Sequence, residues 1–225
     1  MRKLTRESSA ATRQHLLNVA LKHFAECGYA ATSVQDIVDE AGVSKPALYY
    51  YFKDKAELFK ALVDRAHDER YELMQQAALR GFTAAEKLEN VVSKIFEFSL
   101  KNRELMRLAF ASAFAPAGEA PNHNHCREKG RRNFEFIRAI ISQGQNAGEL
   151  DVRFTADELT MGIYGQLSGY IMMKLLAPEC PVNTGTAQQV VRLFLEGAAN
   201  RTHRANGSAN GHFSGASRAK ASARR

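Results

Sequence analysis

The chain is predicted to be all-α, with an N-terminal three-helix head and a larger C-terminal helical domain. Three observations carry this. Apolar residues recur at three- and four-residue spacing through most of the first 200 positions. Ser, Thr and Asp stand where those runs begin, and no segment alternates with the two-residue period of a strand. With 225 residues and 45% apolar content, the chain can bury a core for one or two domains. It lacks an apolar run long enough to span a membrane and a signal-peptide h-region at its start. Its cysteines (Cys27, Cys126, Cys180) form no paired framework, which suits a reducing cytoplasm.

Residues 1–9, with Arg2, Lys3 and Arg6, read as a flexible basic arm. Leu17, Ala20, Leu21, Phe24 and Ala25 then mark a first helix over 10–27. Val34, Ile37, Val38 and Ala41 give a short second helix one apolar face, with Thr32 or Ser33 as its N-cap. Gly42 supplies the left-handed backbone that ends it. Ser44 caps a third helix with Pro46 in its first turn, where a missing N–H costs little. Two short helices joined this way, over residues 33–52, follow helix-turn-helix grammar, in which the second helix enters the major groove of DNA.

A longer helix follows from the Asp54 cap, carrying Leu58, Phe59, Leu62, Val63, Ala66 and Leu73, and links head to body. Thr83 opens a helix to Lys101, and a shorter one spans Glu104 to Phe114. The breaker-rich residues 115–122 are loop. Arg127 to Asn146 is helical and closes at Gly148. Thr155 and Glu158 form a capping box for a helix reaching Leu176. Pro178 and Pro181 end it, and Thr186 to Ala199 forms the last helix. After Asn200 the chain is too poor in large apolar residues to fold.

The head resembles the DNA-binding domain of the TetR family of bacterial regulators. The family pattern is met by Thr32, Ile37-Val38, Ala41-Gly42-Val43-Ser44, Leu48-Tyr49, Phe52, Lys55 and Leu58. Val38 replaces a commoner Ala, and Pro46-Ala47 replaces a commoner Gly-Thr, changes that touch which bases are read. The resemblance is strong over residues 10–70 and extends to 71–200 only in helical plan. It implies a head at 10–70, an effector-binding and dimerisation domain at 71–200, and a basic tail at 201–225. It also implies a palindromic double-stranded operator, a homodimer and a largely apolar small-molecule effector. A single helix-turn-helix reads one half-site, so dimerisation is expected on functional grounds as well.

Residue chemistry assigns the DNA contacts. Leu48 and Phe52 anchor the recognition helix, leaving Ser44, Lys45, Pro46, Ala47, Tyr49, Tyr50 and Tyr51 around its exposed face. Lys45 suits guanine O6/N7 or a phosphate, Pro46 and Ala47 a thymine methyl, and the Tyr49 and Tyr50 hydroxyls phosphate oxygens. Lys55, at a helix N-terminus, is assigned to a phosphate, as are Thr32 and Gln35 on the other flank. Tyr51 is alternatively part of an aromatic cluster inside the head.

In the body, Ile163, Leu167, Tyr170 and Ile171 on one helix and Val191, Phe194 and Leu195 on the next are assigned to the dimer interface. Gly162, Gly165 and Gly169 would allow close helix approach; packing within one subunit is the alternative. Phe96, Leu105, Phe110, Phe114, Phe134, Tyr164 and Met172 are assigned to a ligand cavity, against the plainer reading of ordinary core. No acidic residue stands inside these apolar faces, so a cationic ligand is not favoured.

His123, His125 and Cys126 are too few, and lack a distant partner pair, for a zinc site; they read as a solvated loop. No Gly-x-Ser-x-Gly elbow, phosphate loop or carboxylate pair points to catalysis, and no cofactor or metal is expected. Six of the net +7 charges fall in residues 201–225, which hold no Asp or Glu. DNA binding therefore cannot be argued from bulk charge, and the tail is either a mobile counter-charge to phosphates or inert. The reading is a cytoplasmic, ligand-released DNA-binding repressor rather than an enzyme. Its rival is a helical small-molecule-binding protein or enzyme with a vestigial head.

Overall fold

The structure, a computed structural model, describes residues 6–114, 121 and 123–196. Within them the chain forms nine helices and no strand. These are α1 (Arg6–Ala31), α2 (Val34–Ala41), α3 (Lys45–Tyr51), α4 (Lys55–Ala78), α5 (Ala84–Lys101), α6 (Arg103–Phe114), α7 (His123–Asn146), α8 (Ala156–Leu176) and α9 (Thr184–Glu196). The tail at 201–225, residues 1–5 of the arm and nearly all of the 115–122 loop lie outside the described residues.

Most helix starts sit where the capping residues put them. Ser33 and Asp36 form a reciprocal capping box on α2, as Thr83 and Glu86 do on α5 and Thr155 and Glu158 on α8. Each box satisfies amides that the first turn leaves without partners. Gly42 ends α2 at φ 64°, a left-handed conformation that would strain any side-chain-bearing residue. Its N–H donates to Asp39 O at 3.3 Å and the Val43 N–H to Val38 O at 3.0 Å, which closes the turn tightly enough to set α3 across α2.

Two helices depart most from the sequence expectation. α1 starts at Arg6, inside the expected arm, and continues to Ala31 across a break at Gly28 (φ 81°, ψ 167°). α7 starts at His123, so His125 and Cys126 stand on a helix rather than in a loop. Tertiary bonds account for this early start. His125 Nε2 lies 2.5 Å from Asp64 Oδ1, and Lys129 Nζ bonds both oxygens of Asp68 at 2.8 Å, so the first turns of α7 are fastened to α4.

The apolar side chains form two cores. The head core gathers Leu16, Leu17, Ala20 and Phe24 from α1, Ile37 and Val38 from α2, Leu48 and Phe52 from α3, and Leu58, Phe59, Leu62 and Val63 from α4. The body core joins α5, α7, α8 and α9 through Leu88, Val92, Phe96, Ile137, Ile141, Ile163, Leu167 and Val190. Two helices belong to both cores. α4 enters the head with Val63 and the body with Ala66 and Met74; α6 gives Leu108 to the head and Leu105 and Met106 to the body.

Candidate DNA interface and ligand cavity

The exposed side of α3 is built by burying its other side. Leu48 and Phe52 are fully inside the head, and the Ser44 hydroxyl accepts from the Ala47 N–H at 3.3 Å. That fixes the helix rotation, so Lys45 and Pro46 stand in solvent, Ala47 is half-buried, and Tyr49 and Tyr50 are 49% and 75% exposed. Exposed tyrosines of this size are unusual on a free surface and suit a polyanion that accepts from phenolic hydroxyls. Tyr51 is half-buried against the head core and meets Tyr50 edge-on at 4.9 Å, so it positions its neighbour rather than facing outward.

Two sequence assignments at the flanks are corrected. Thr32 is only 2% exposed, and its hydroxyl donates to Gly28 O at 2.8 Å, mending the broken end of α1. Lys55 turns inward: Nζ donates to Tyr29 O at 2.8 Å and Thr32 O at 2.7 Å and sits 4.3 Å from the centre of the Tyr29 ring. Burial pulls its pKa below the usual lysine value. The start of α4 already has its own acceptors: Asp54 accepts from the Glu57 N–H at 2.7 Å, and Glu57 accepts from the Lys53 N–H at 2.6 Å. An anion at the start of α4 would meet two carboxylates, so Lys55 serves as a cation capping the carbonyl end of α1. Gln35 remains exposed and donates to Asp39 at 2.6 Å.

Between the two cores lies a cavity of about 420 Å³, walled by α4, α5, α6, α7 and α8. Leu105, Phe110 and Tyr164, assigned from sequence, line it. Phe96 is fully buried in the body core, edge-on to Tyr170 at 6.2 Å, and Phe134 packs on Tyr164 at 5.6 Å behind the wall. Phe114 and Met172 point away from it and are exposed.

The sequence reading missed the polar part of the wall. His67, Arg70, Ser112 and Arg127 reach the cavity, and its described lining residues include no Asp or Glu. A signal was present, since Val63, Ala66, His67 and Arg70 repeat at three- and four-residue spacing on α4. His67 Nδ1 is buried without a hydrogen-bond partner. Its pKa is held down at about 4, first by burial and then by the positive charges of Arg70 and Arg132.

The dimer assignment is also redrawn. Ile163, Leu167, Ile171 and Val191 are buried inside the protomer, and Tyr170, Phe194 and Leu195 pack partly against the same core. α8 is apolar on both sides, which is why its sequence alone does not tell the inner face from the outer. Its outward side carries Met161, Gly165, Met173 and Leu176, joined by Leu193 of α9. A Cβ added at Gly165 or Gly169 would meet nothing within 4 Å, so this face holds a shallow trough where a second helix can come close.

Comparison with known proteins agrees with this geometry. Residues 16–62 match the family model described as bacterial regulatory proteins, tetR family. The chain is similar to the HTH-type transcriptional regulator AcrR of Shigella flexneri, 28% identical over 87% of this chain and 93% of that protein. Several other curated regulators match over 28% to 47% of their own length. A transcriptional regulator of the TetR/AcrR family from Thermobifida fusca superposes with a TM-score of 0.61, at 26% identity over 84% of this chain and 98% of its own. The fold is shared with FadR of Bacillus subtilis, solved in complex with stearoyl-CoA, at a TM-score of 0.71 and 21% identity over 83% of this chain and 99% of that one. These relatives are transcriptional regulators, not enzymes, and no described helix is long and apolar enough to cross a membrane. With its helix-turn-helix head on an all-helical body, the chain is a DNA-binding transcriptional regulator whose residues 16–62 form a head of the tetR family.

Proposed function

We propose that the protein is a cytoplasmic homodimeric repressor that holds a roughly palindromic operator through α3 and releases it when a largely apolar small molecule fills the central cavity. The observation that carries this reading is a shared wall. Val63 and Leu108 line the cavity and are also members of the head core, so a ligand that displaces α4 or α6 must displace the head. Arg65 adds a polar tie, Nη1 to Asn18 Oδ1 at 3.3 Å, between α4 and α1. Two heads on one dimer read half-sites one helical turn apart, and a change in their separation breaks that match. The ligand needs only to favour one of two arrangements. The acyl-CoA bound by the Bacillus FadR supports an apolar ligand within this fold. The roles of Ser44, Lys45, Pro46, Ala47, Tyr49 and Tyr50 at bases and phosphates belong to this proposal.

Selection from random duplexes, followed by light scattering on the winning sequence, tests it. The expected result is a two-fold symmetric consensus bound by an even number of chains. A consensus without an inverted repeat, or a monomer both free and on DNA, overturns the reading.

A further inference from the structure

Arg70 is a cation with nowhere to discharge. Four basic neighbours along α4 and α7 are matched: Lys60 to Asp64 at 2.7 Å, Arg65 to Glu69 at 2.9 Å, Lys129 to Asp68 at 2.8 Å, and Arg132 to the same Asp68 at 2.6 Å. Those pairs engage Asp64, Asp68 and Glu69 of α4. Among the described residues Arg70 has only neutral partners. With its amide oxygen turned to the guanidinium, the fully buried Asn133 accepts from Nε at 3.1 Å and Nη2 at 2.9 Å. The Tyr164 hydroxyl lies 3.4 Å from Nη2. No described residue accepts from Nη1. Asn133 and Tyr164 thus hold the guanidinium in one orientation without neutralising it, at the wall of a cavity with no carboxylate among its described lining residues. A half-buried charge in that state is costly, and an arrangement that keeps it preorganises a strong charge-assisted hydrogen bond to an arriving oxyanion.

We infer that the cavity selects an amphiphile with one oxyanion, a carboxylate or a phosphate, whose head is taken by Arg70 and whose apolar body lies among Ile95, Leu105, Met106, Phe110 and Ile171. The Arg127 side chain, also at the cavity, adds to the positive field, and the unpartnered Nδ1 of His67 offers a further polar contact close to the head. The low pKa of His67 is set first by its burial and then by the charges of Arg70 and Arg132. Guanidinium geometry suits both oxyanions, since each presents two oxygens to the planar fork.

The inference rests on the cavity being the effector site, and the test separates the two. Titration calorimetry on the full chain uses four dodecyl compounds below their micellar concentrations: dodecanoate, dodecyl phosphate, dodecan-1-ol and dodecyltrimethylammonium. At least one anion is expected to bind roughly tenfold or more tighter than the alcohol, and the cation more weakly than either. Dodecanoate ahead assigns a carboxylate, dodecyl phosphate ahead a phosphate. Arg70→Gln is expected to bring anion and alcohol within about threefold of each other while leaving the alcohol unchanged. Arg70→Lys, which keeps the charge and loses the fork, should retain part of the preference and controls for folding. Equal binding of anion and alcohol, or a preference that survives in Arg70→Gln, overturns the anion assignment and leaves the apolar effector cavity standing. Failure of all four to bind removes both, and so does binding of the alcohol outside the cavity.

Discussion

Head and body carry their polar groups in opposite ways. In the head, polar side chains at the core margins are engaged: Thr32 on Gly28 O, Lys55 on two carbonyls, His15 Nε2 at 3.2 Å from Ala41 O, and Lys22 on Glu40 at 2.8 Å. Phe24, Tyr29 and Phe59 close its end as a triangle of rings 5.1–5.7 Å apart. The body, by contrast, keeps a void of about 420 Å³, an orphan imidazole nitrogen and a guanidinium with no carboxylate partner among the described residues. A module that must present α3 at one fixed angle has to be rigid. A module that responds to a ligand must leave something unmade until the ligand arrives.

The largest expected effect sharpens that contrast. Phe52→Ala empties a fully packed site and should cost the head ~3–5 kcal/mol, while Ala109→Leu, which adds bulk beside the cavity, should cost less than ~1 kcal/mol. Denaturant titration of both variants checks this, and equal losses would erase the distinction between a filled core and an unfilled one.

Lys55→Ala comes next. Loss of two charge-assisted hydrogen bonds should destabilise the head by about 2–3 kcal/mol. Operator binding should weaken through the fold alone, leaving its salt dependence unchanged, whereas Lys45→Ala should lower the salt slope by about one. Affinity measured across a salt series distinguishes them. A lowered slope for Lys55→Ala would return that lysine to the phosphates.

His67 supplies a pH test confined to the body. Its folded pKa of about 4 lies below the ordinary value of 6.5, so the unfolded chain takes up the proton first as pH falls. Stability from this group is present above pH 6.5 and is lost progressively between 6.5 and 4, by ~2 kcal/mol at pH 5. Asp64 and Asp68 also have lowered values, but their windows open below 3.8 and do not overlap this one. Thermal melts at pH 7 and 5 should show the loss in the wild type and not in His67→Gln. The same loss in both would place its source elsewhere.

The smallest effect concerns the outer face of α8. Gly165→Ala should steady an isolated protomer by ~0.5–1 kcal/mol, since its Cβ meets nothing, yet weaken the dimer by blocking close helix approach. Sedimentation at several concentrations reads the second effect, and an unaltered dimer would move the interface away from this trough.

Legibility followed the same divide. In the head, caps and apolar spacing located α2, α3 and the start of α4, because local rules decide short capped helices. What stayed hidden was the direction of Lys55 and Thr32, set by the break at Gly28 and by two carboxylates already holding the first turn of α4. In the body, Leu105, Phe110 and Tyr164 were found, but Phe96, Phe114 and Met172 show that helical spacing does not say which apolar face meets a void. α8, apolar on both sides, hid its outer face for the same reason. Arg70 was overlooked in a highly charged stretch of α4, because only the fold shows which of its basic neighbours are already paired.

The central claim is that the cavity and the DNA-reading surface are two ends of one mechanical unit built on α4 and α6. Its most direct test is the dissociation constant of the tightest-binding dodecyl compound, measured on the free dimer and on the dimer saturated with operator. Linkage requires that a ligand which releases DNA be repelled by DNA to the same factor. The account predicts binding at least about tenfold weaker on the operator complex. Equal dissociation constants in the two states would contradict it.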